Sequence, residues 1–453
     1  MMHSGTHVEY PSGPCPERPA GACGERKALF LERARLCPGI PGVGGGEHDV
    51  SALDGKIVAC APAGELEPPP DAERVPCAGK RLFPSFLDVH THLRDPGHEY
   101  KEDIGSGLEA AAHGGFGSVM AMANTDPVND RAAVTAYMTE KAARLHPRGP
   151  RLYPVGALTV GLAGKELAPM GELAAAGCVA FSNDGKGVAD TEIFRRGMEY
   201  AAQWGRIVID HCEDPSPARG ALMNEGAVSG RAGIPGVPTV AEALHVARDI
   251  LLSEYLDLPV HLAHISCRQS VELLRFAAER GLKVSAETCP HYLLLDDSLL
   301  EGFSAAAKVN PPLRSREDVR AVREAVRDGL IGVFATDHAP HAGHEKDQPL
   351  DQAPCGFIGL ETALPLTYAL VRDGLLNEAA FTRMWHSAPA AVFGIPVNNF
   401  APGDPADFFL FDPDEEWTVC RAALHSKSLN TPFLGRRLRG RVTAHWLGGC
   451  RIV

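Results

Sequence analysis

From residue 82 to residue 392 the chain repeats one unit, a short apolar run of strand character followed by a longer run of helical character. The apolar runs are Phe83–Val89, Gly117–Met122, Leu152–Leu158, Cys178–Ser182, Ile207–His211, Val260–His264, Lys283–Glu287 and Gly332–Thr336. Helical stretches stand between most of them, among them Ala132–Leu145, Asp190–Trp204, Val240–Leu256, Ser270–Gly281 and Arg316–Asp328. Near-continuous apolar strands alternating with helices belong to a parallel sheet covered by those helices. Eight such units over roughly 310 residues predict an α/β fold, a (β/α)8 TIM-like barrel, with its chemistry at the C-terminal ends of the strands.

The residues at those ends are unusual. The first run closes with Asp88-Val89-His90-Thr91-His92-Leu93-Arg94 before Asp95-Pro96-Gly97. Alternate strand residues share a face, so His90 and His92 point one way and Arg94 follows just beyond. Asp184 stands after the fourth run, His211 ends the fifth, His264 ends the sixth, and Asp337 follows the eighth. Singly, a strand-end histidine is a hydrogen-bonded structural residue, and Asp184 before Gly185 is a turn aspartate. Together, four histidines and two aspartates fall around one barrel axis.

Imidazole and carboxylate without thiolate suit zinc, with iron, manganese or cobalt as substitutes. Six ligands exceed one tetrahedral ion and match two ions bridged by a carboxylate. Such a pair generates hydroxide at neutral pH and polarises a carbonyl, which is hydrolase chemistry. Asp337 is placed to be both ligand and proton carrier. The segment from Pro340 to Gly356, rich in His, Gly, Lys, Asp and Pro, is expected to close over a substrate.

Net charge of −13 over 453 residues argues against a general nucleic-acid binder and leaves room for a small anionic substrate gripped by local arginines. No run of eighteen apolar residues indicates a membrane span. The 12 cysteines form no C-x-x-C pair. Cys15, Cys23 and Cys37 lie in a Pro/Gly-rich stretch, and Cys178, Cys212 and Cys267 lie in or beside apolar runs. This pattern suits reduced thiols in a cytoplasmic protein.

Residues 1–45 show no apolar periodicity and no signal-peptide core, and are expected to be an irregular lead-in. His3, His7 and His48 are expected to be solvent-exposed bystanders. Ser51–Ala59 predicts a hairpin turning at Asp54-Gly55. Strand-like Asp407–Phe411, Thr418-Val419 and Val442–Leu447 are its expected partners. Residues 46–81 and 393–453 would then form a small β domain built from both chain ends, flanking a catalytic barrel over 82–392.

At this point the residues resemble a known family. Pro84-Ser85-Phe86-Leu87-Asp88-Val89-His90-Thr91-His92-Leu93-Arg94-Asp95-Pro96-Gly97 is similar to the first metal motif of the dihydroorotases, in the amidohydrolase superfamily. Ala335-Thr336-Asp337-His338-Ala339-Pro340-His341 resembles their second signature. The likeness continues through Gly114-Gly115-Phe116, Met122–Thr125, Asn310–Arg314 and Asn430-Thr431-Pro432-Phe433, and covers about residues 80–450. The first 45 residues do not resemble the family's opening strands.

The resemblance implies that His90, His92 and Asp337 bind one metal, His211 and His264 a second, and Asp184 bridges them. Many relatives use a carboxylated lysine as the bridge. Here Asn183-Asp184-Gly185 looks like the bacterial type with aspartate, which usually reads Asp-Asp-Gly. Lys186 is expected to be an ordinary surface lysine.

The resemblance also implies that Arg94, Asn124 and His341, with His92 beside them, grip a ring carboxylate. Asn310 and the backbone near Cys355-Gly356 would hold ring amides. Guanidinium complements an anion, and asparagine complements N–H and C=O together. The implied reaction is reversible opening of (S)-dihydroorotate to N-carbamoyl-L-aspartate in de novo pyrimidine (UMP) biosynthesis. The implied cofactor is zinc, two per subunit. The implied partners are a second subunit in a homodimer and aspartate transcarbamoylase. The rivals are a related cyclic amidohydrolase (dihydropyrimidinase, hydantoinase or allantoinase) and a non-catalytic scaffold for aspartate transcarbamoylase. Bridging lysine and no equivalent of Arg94 mark the former, and lost metal ligands mark the latter.

Overall fold

The computed structural model describes residues 28–40 and 46–453. Eight parallel strands form the central sheet in sequential order: Phe86–Thr91, Phe116–Ala121, Arg151–Ala157, Ala180–Ser182, Ile207–Asp210, Val260–Leu262, Val284–Thr288 and Val333–Phe334. Each falls on one of the eight apolar runs. A parallel bridge from Thr91 to His338 and a bond from the His92 N–H to the His338 carbonyl (2.8 Å) bring the last strand's exit beside the first. Asp88 reinforces this seam. Its buried carboxylate accepts from the Thr336 N–H (3.1 Å), the Thr336 hydroxyl (2.5 Å) and the His90 N–H (3.2 Å).

Alternate residues of most strands, including Leu87, Met120, Val155, Ile209 and Val333, meet in one apolar cluster with Phe393 and Ile395. A larger cluster packs Phe116, Leu152, Val208 and Leu262 against helices such as Ile104–His113 and Thr239–Leu256. Apolar side chains therefore leave both faces of the strands dry, which is why the runs are near-continuous in sequence.

The run Phe83–Val89 is two strands. Arg81–Pro84 pairs antiparallel with Phe408–Thr418 in a second sheet, and the chain crosses at Ser85 into the first barrel strand. Phe83 stacks on Phe409 (5.4 Å between centroids) and meets Phe86 edge-on, closing the crossing with aromatic surface.

The second sheet corrects three expectations. The lead-in is not irregular to residue 45: Ala28–Leu36 is a strand that pairs parallel with Arg81–Pro84 and antiparallel with Gly46–Leu53. Its register shifts between Leu31 and Ala34, where Arg33 takes φ 53°, so the period-two pattern is interrupted. The predicted hairpin forms, with Gly46–Leu53 against Lys56–Pro62. It does not pair ladder to ladder with the C-terminal strands. The order runs Cys450–Arg451, Arg437–Leu447, Phe408–Thr418, Arg81–Pro84, Ala28–Leu36, Gly46–Leu53, Lys56–Pro62, so two strands stand between. His48 is buried rather than exposed, its ring donating to the Gly46 carbonyl (3.1 Å). His3, His7, Cys15 and Cys23 lie outside the described residues. The described cysteines are all free thiols.

His386, between the helices Glu378–Trp385 and Ser387–Phe393, is 1% exposed, and burial holds its pKa down at about 4. The unfolded value is about 6.5, so between the two the unfolded chain carries the extra proton. Stability is therefore whole above pH 6.5 and lost as pH falls toward 4. Between pH 7 and 4.5 the native protein is expected to lose about 2 kcal/mol more than a His386→Asn variant, read from urea midpoints. Equal losses would assign the acid sensitivity to other groups.

Candidate metal and substrate site

The strands place all six predicted ligands at one end of the barrel, each in or just past its strand. Asp184 is the hub. Its Oδ1 lies 3.2 Å from His90 Nε2, 3.5 Å from His211 Nδ1 and 3.4 Å from His264 Nε2, and its Oδ2 lies 3.3 Å from His92 Nε2. Asp337 Oδ1 stands 3.1 Å from His92 Nε2 and 3.6 Å from His90 Nε2. Arg94, His264 and Asp337 have φ of 61°, 36° and 48°, a left-handed backbone that costs energy without glycine. The turn of each chain segment off its strand is what aims these side chains inward.

The donor set fits divalent metal. His90 Nε2 and Asp184 Oδ1 are buried, 3.2 Å apart, and neither has a hydrogen-bond partner. His211 Nδ1 and His264 Nε2 lie 2.9 Å apart, a contact that needs a proton or a cation between them. A cation between such atoms satisfies all of them. The electrostatics agree. Burial disfavours a charged His90, yet the Asp184 and Glu287 carboxylates outweigh it and hold its pKa well above the usual value. His211 is raised to about 9 against burial, chiefly by the Asp184 carboxylate beside it. Protons on these rings occupy the place that metal charge would take. Two triads are within ligating reach of one another: His90, His92 and Asp184, then Asp184, His211 and His264.

Glu287, at the end of the seventh strand, was not among the predicted site residues. Its carboxylate accepts from His90 Nδ1 (2.7 Å) and His261 Nε2 (3.1 Å), which fixes the His90 tautomer with Nε2 facing Asp184. A charged residue closing an apolar strand was its signal. Asn183 does not face the ligands: it bonds Thr159, accepting from the Thr159 N–H (3.0 Å). Lys186 is exposed.

The predicted substrate residues form a rim beside the ligands. Arg94 is half-buried, and burial lowers it to about 10, so it stays charged at neutral pH. Its Nε donates to the Pro340 carbonyl (3.1 Å), and its Nη2 lies 3.3 Å from His341 Nε2. His341 donates from Nε2 to the Cys355 carbonyl (2.8 Å). Burial and the Arg94 and Lys101 cations push it down to about 2, so the ring is neutral. Asn124 accepts from His92 Nδ1 (2.8 Å), and the Asn310 side-chain amide lies 3.1 Å from His211 Nε2. Gly356 has φ 138°, and a Cβ there would lie 2.7 Å from Ala339 Cβ, so its bare backbone faces the rim by necessity. The 340–356 segment is tied down by Lys346, which donates to the Pro354 carbonyl (2.8 Å), and by Lys308, which donates to the Leu350 and Ala353 carbonyls (2.5 and 2.7 Å).

A model of dihydro-orotase-like proteins matches residues 79–270. The dihydroorotase of Syntrophus aciditrophicus (strain SB) is 45% identical over 398 residues, 88% of this chain and 92% of that one. That of Anaeromyxobacter dehalogenans (strain 2CP-1 / ATCC BAA-258) is 46% identical over 427 residues, 94% of this chain and 97% of that one. The chain belongs to the dihydroorotase family. Solved structures add the fold. An L-hydantoinase (dihydropyrimidinase) from Arthrobacter aurescens superposes with a TM-score of 0.82 at 23% identity, covering 94% of this chain and 96% of that one. A D-hydantoinase from a Bacillus sp. AR9 gives 0.79 at 23%, covering 94% and 95%. The barrel and flanking sheet thus share the fold of those hydantoinases, and the sequence places this member among the dihydroorotases. No helix among the described residues is long and apolar enough to cross a membrane.

Proposed function

We infer that this chain catalyses the reversible opening of (S)-dihydroorotate to N-carbamoyl-L-aspartate in pyrimidine biosynthesis. The observation that carries this reading is the Asp184-centred cluster with Arg94 at its rim, on a chain that shares 45% identity with a dihydroorotase over most of its length. His90 Nε2, His92 Nε2 and Asp337 would hold one zinc ion, His211 Nδ1 and His264 Nε2 a second, and Asp184 would bridge them. Zinc at such a pair polarises an amide carbonyl and lowers the pKa of water toward neutrality.

The protein's own groups do the rest. Arg94, with Asn124 and His341, would fix the ring carboxylate, so that the ring amide is presented to the cluster in one orientation. Asn310 and the main chain at Cys355-Gly356 would pair with ring N–H and C=O. Asp337 would take the proton of the attacking water and deliver it to the departing ring nitrogen. Ring closure runs through the same groups in reverse.

Turnover of dihydroorotate, hydantoin and allantoin side by side tests the substrate. Dihydroorotate alone is expected to react well. Arg94→Lys keeps the charge and loses the planar fork. It is expected to raise KM for dihydroorotate by about 10- to 100-fold, without changing any residual action on hydantoin, which has no carboxylate. An unchanged KM would remove Arg94 from the grip. Elemental analysis is expected to find about two zinc ions per chain, and chelation to abolish turnover until zinc is returned. Full turnover with no bound metal would overturn the centre.

A homodimer, association with aspartate transcarbamoylase and a cytoplasmic location complete the reading. Free thiols at the described cysteines support the location. Size-exclusion chromatography with and without aspartate transcarbamoylase tests the other two.

A further inference from the structure

We propose that Asn430, contributed by the flanking β domain, is the positioning residue for the substrate rim. This rests on the reading of His341 and Gly356 as substrate contacts. Asn430 is 6% exposed, and its amide is fully used. Its Oδ1 accepts from the His341 N–H (3.0 Å), and its Nδ2 donates to the Ala339 carbonyl (2.9 Å) and the Gly356 carbonyl (3.0 Å). Its own carbonyl accepts from the Ile358 N–H (2.9 Å). One side chain thus joins the outgoing and returning arms of the 340–356 segment at its neck. An amide is the side chain that can accept from one arm while donating to both.

The residues just before it hold the neighbouring rim. The Ser426 hydroxyl and the Lys427 N–H donate to the Glu102 carboxylate, and the Ser428 hydroxyl donates to the Lys101 carbonyl (2.7 Å). Lys101 in turn reaches His341 Nδ1 (3.4 Å). Glu102 lies 3.4 Å from His338, whose Nδ1 accepts from the Gly359 N–H (3.1 Å). Residues 426–430 therefore stitch the loops after the first and eighth strands into one surface. The ligands of the cluster are set by the barrel alone. Asn430 governs where His341 and the Gly356 carbonyl stand relative to them.

The test compares wild type, Asn430→Ala and Asn430→Asp in the zinc-loaded full chain. Asp has the same size and keeps the acceptor, but turns a carboxylate oxygen onto two carbonyls. Both variants are expected to raise KM for dihydroorotate about 10-fold or more with kcat within about threefold and zinc content unchanged. In a His341→Ala background, Asn430→Ala is expected to add clearly less than it does alone, because part of its effect runs through His341. Amide exchange at His341 and Ile358 is expected to speed up about 100-fold in Asn430→Ala. Wild-type KM in Asn430→Asp, or additive effects with His341→Ala, would overturn the proposal. So would unchanged exchange at His341, which is read without turnover and decides the matter even if a variant is poorly active. A normal KM in His341→Ala alone would instead defeat the reading of His341 as a substrate contact. The exchange data would then still report whether Asn430 holds the neck.

Discussion

Asp337→Asn is expected to lower kcat for dihydroorotate by about 10²- to 10⁴-fold in both directions of the reaction. Burial would favour a protonated Asp337, but the bond from His92 and the charge of His90 outweigh it and hold the carboxyl well below the usual range. It is therefore an ionised acceptor at neutral pH. Its φ of 48° fixes it against the imidazole pair, with Oδ1 3.1 Å from His92 Nε2. Asparagine preserves the shape and one ligating oxygen and removes the ability to carry a proton. Steady-state rates of ring opening and closing, with zinc content measured alongside, check this. A kcat within tenfold of wild type at full zinc loading would take Asp337 out of the proton transfer.

Asp184→Ala is expected to be as severe, by a different route. Among the described residues this carboxylate is the contact common to His90, His92, His211 and His264. Without it the two triads share no atom, and the carboxylate that faces all four imidazoles is lost. Bound zinc is expected to fall to about one ion per chain or fewer, and turnover by about 10³-fold. Elemental analysis and a dihydroorotate assay on the same preparation decide the point. Full zinc with normal turnover would hand the bridge to another group. Lys186, the nearest lysine in sequence, is exposed and does not offer one.

The barrel was legible because its strands are covered on both faces, so each reads as an apolar run bounded by turn residues. Their ends were legible only to within a few residues. His211, His264 and Asp337 lie beyond the last paired strand residue, where left-handed turns at His264 and Asp337 leave no apolar signal. Their identity as histidine and aspartate, not the periodicity, marked them. Glu287 escaped notice because its function appears only once His90 is brought beside it from 197 residues away. Asn430 stood in a stretch that resembles the family, but its role escaped for the same reason, since its three side-chain partners come from other loops. The first strand, Ala28–Leu36, was hidden by a local cause: the kink at Arg33 breaks the alternation that would have announced it.

The seam of the ring has a temporal consequence. His90 and His92 leave the first strand, and Asp337 follows the last, 245 residues after His92. The bonds from Thr336 to Asp88 and from the His92 N–H to the His338 carbonyl form only when those two ends meet. A nascent polypeptide that has not yet released its eighth strand from the ribosome thus has four imidazoles and one aspartate, but neither the other aspartate nor the lock that sets the first two histidines. On the proposed reading of the cluster as a metal site, cation capture in the native arrangement would wait until the ring shuts, so that loading would close biogenesis rather than seed it.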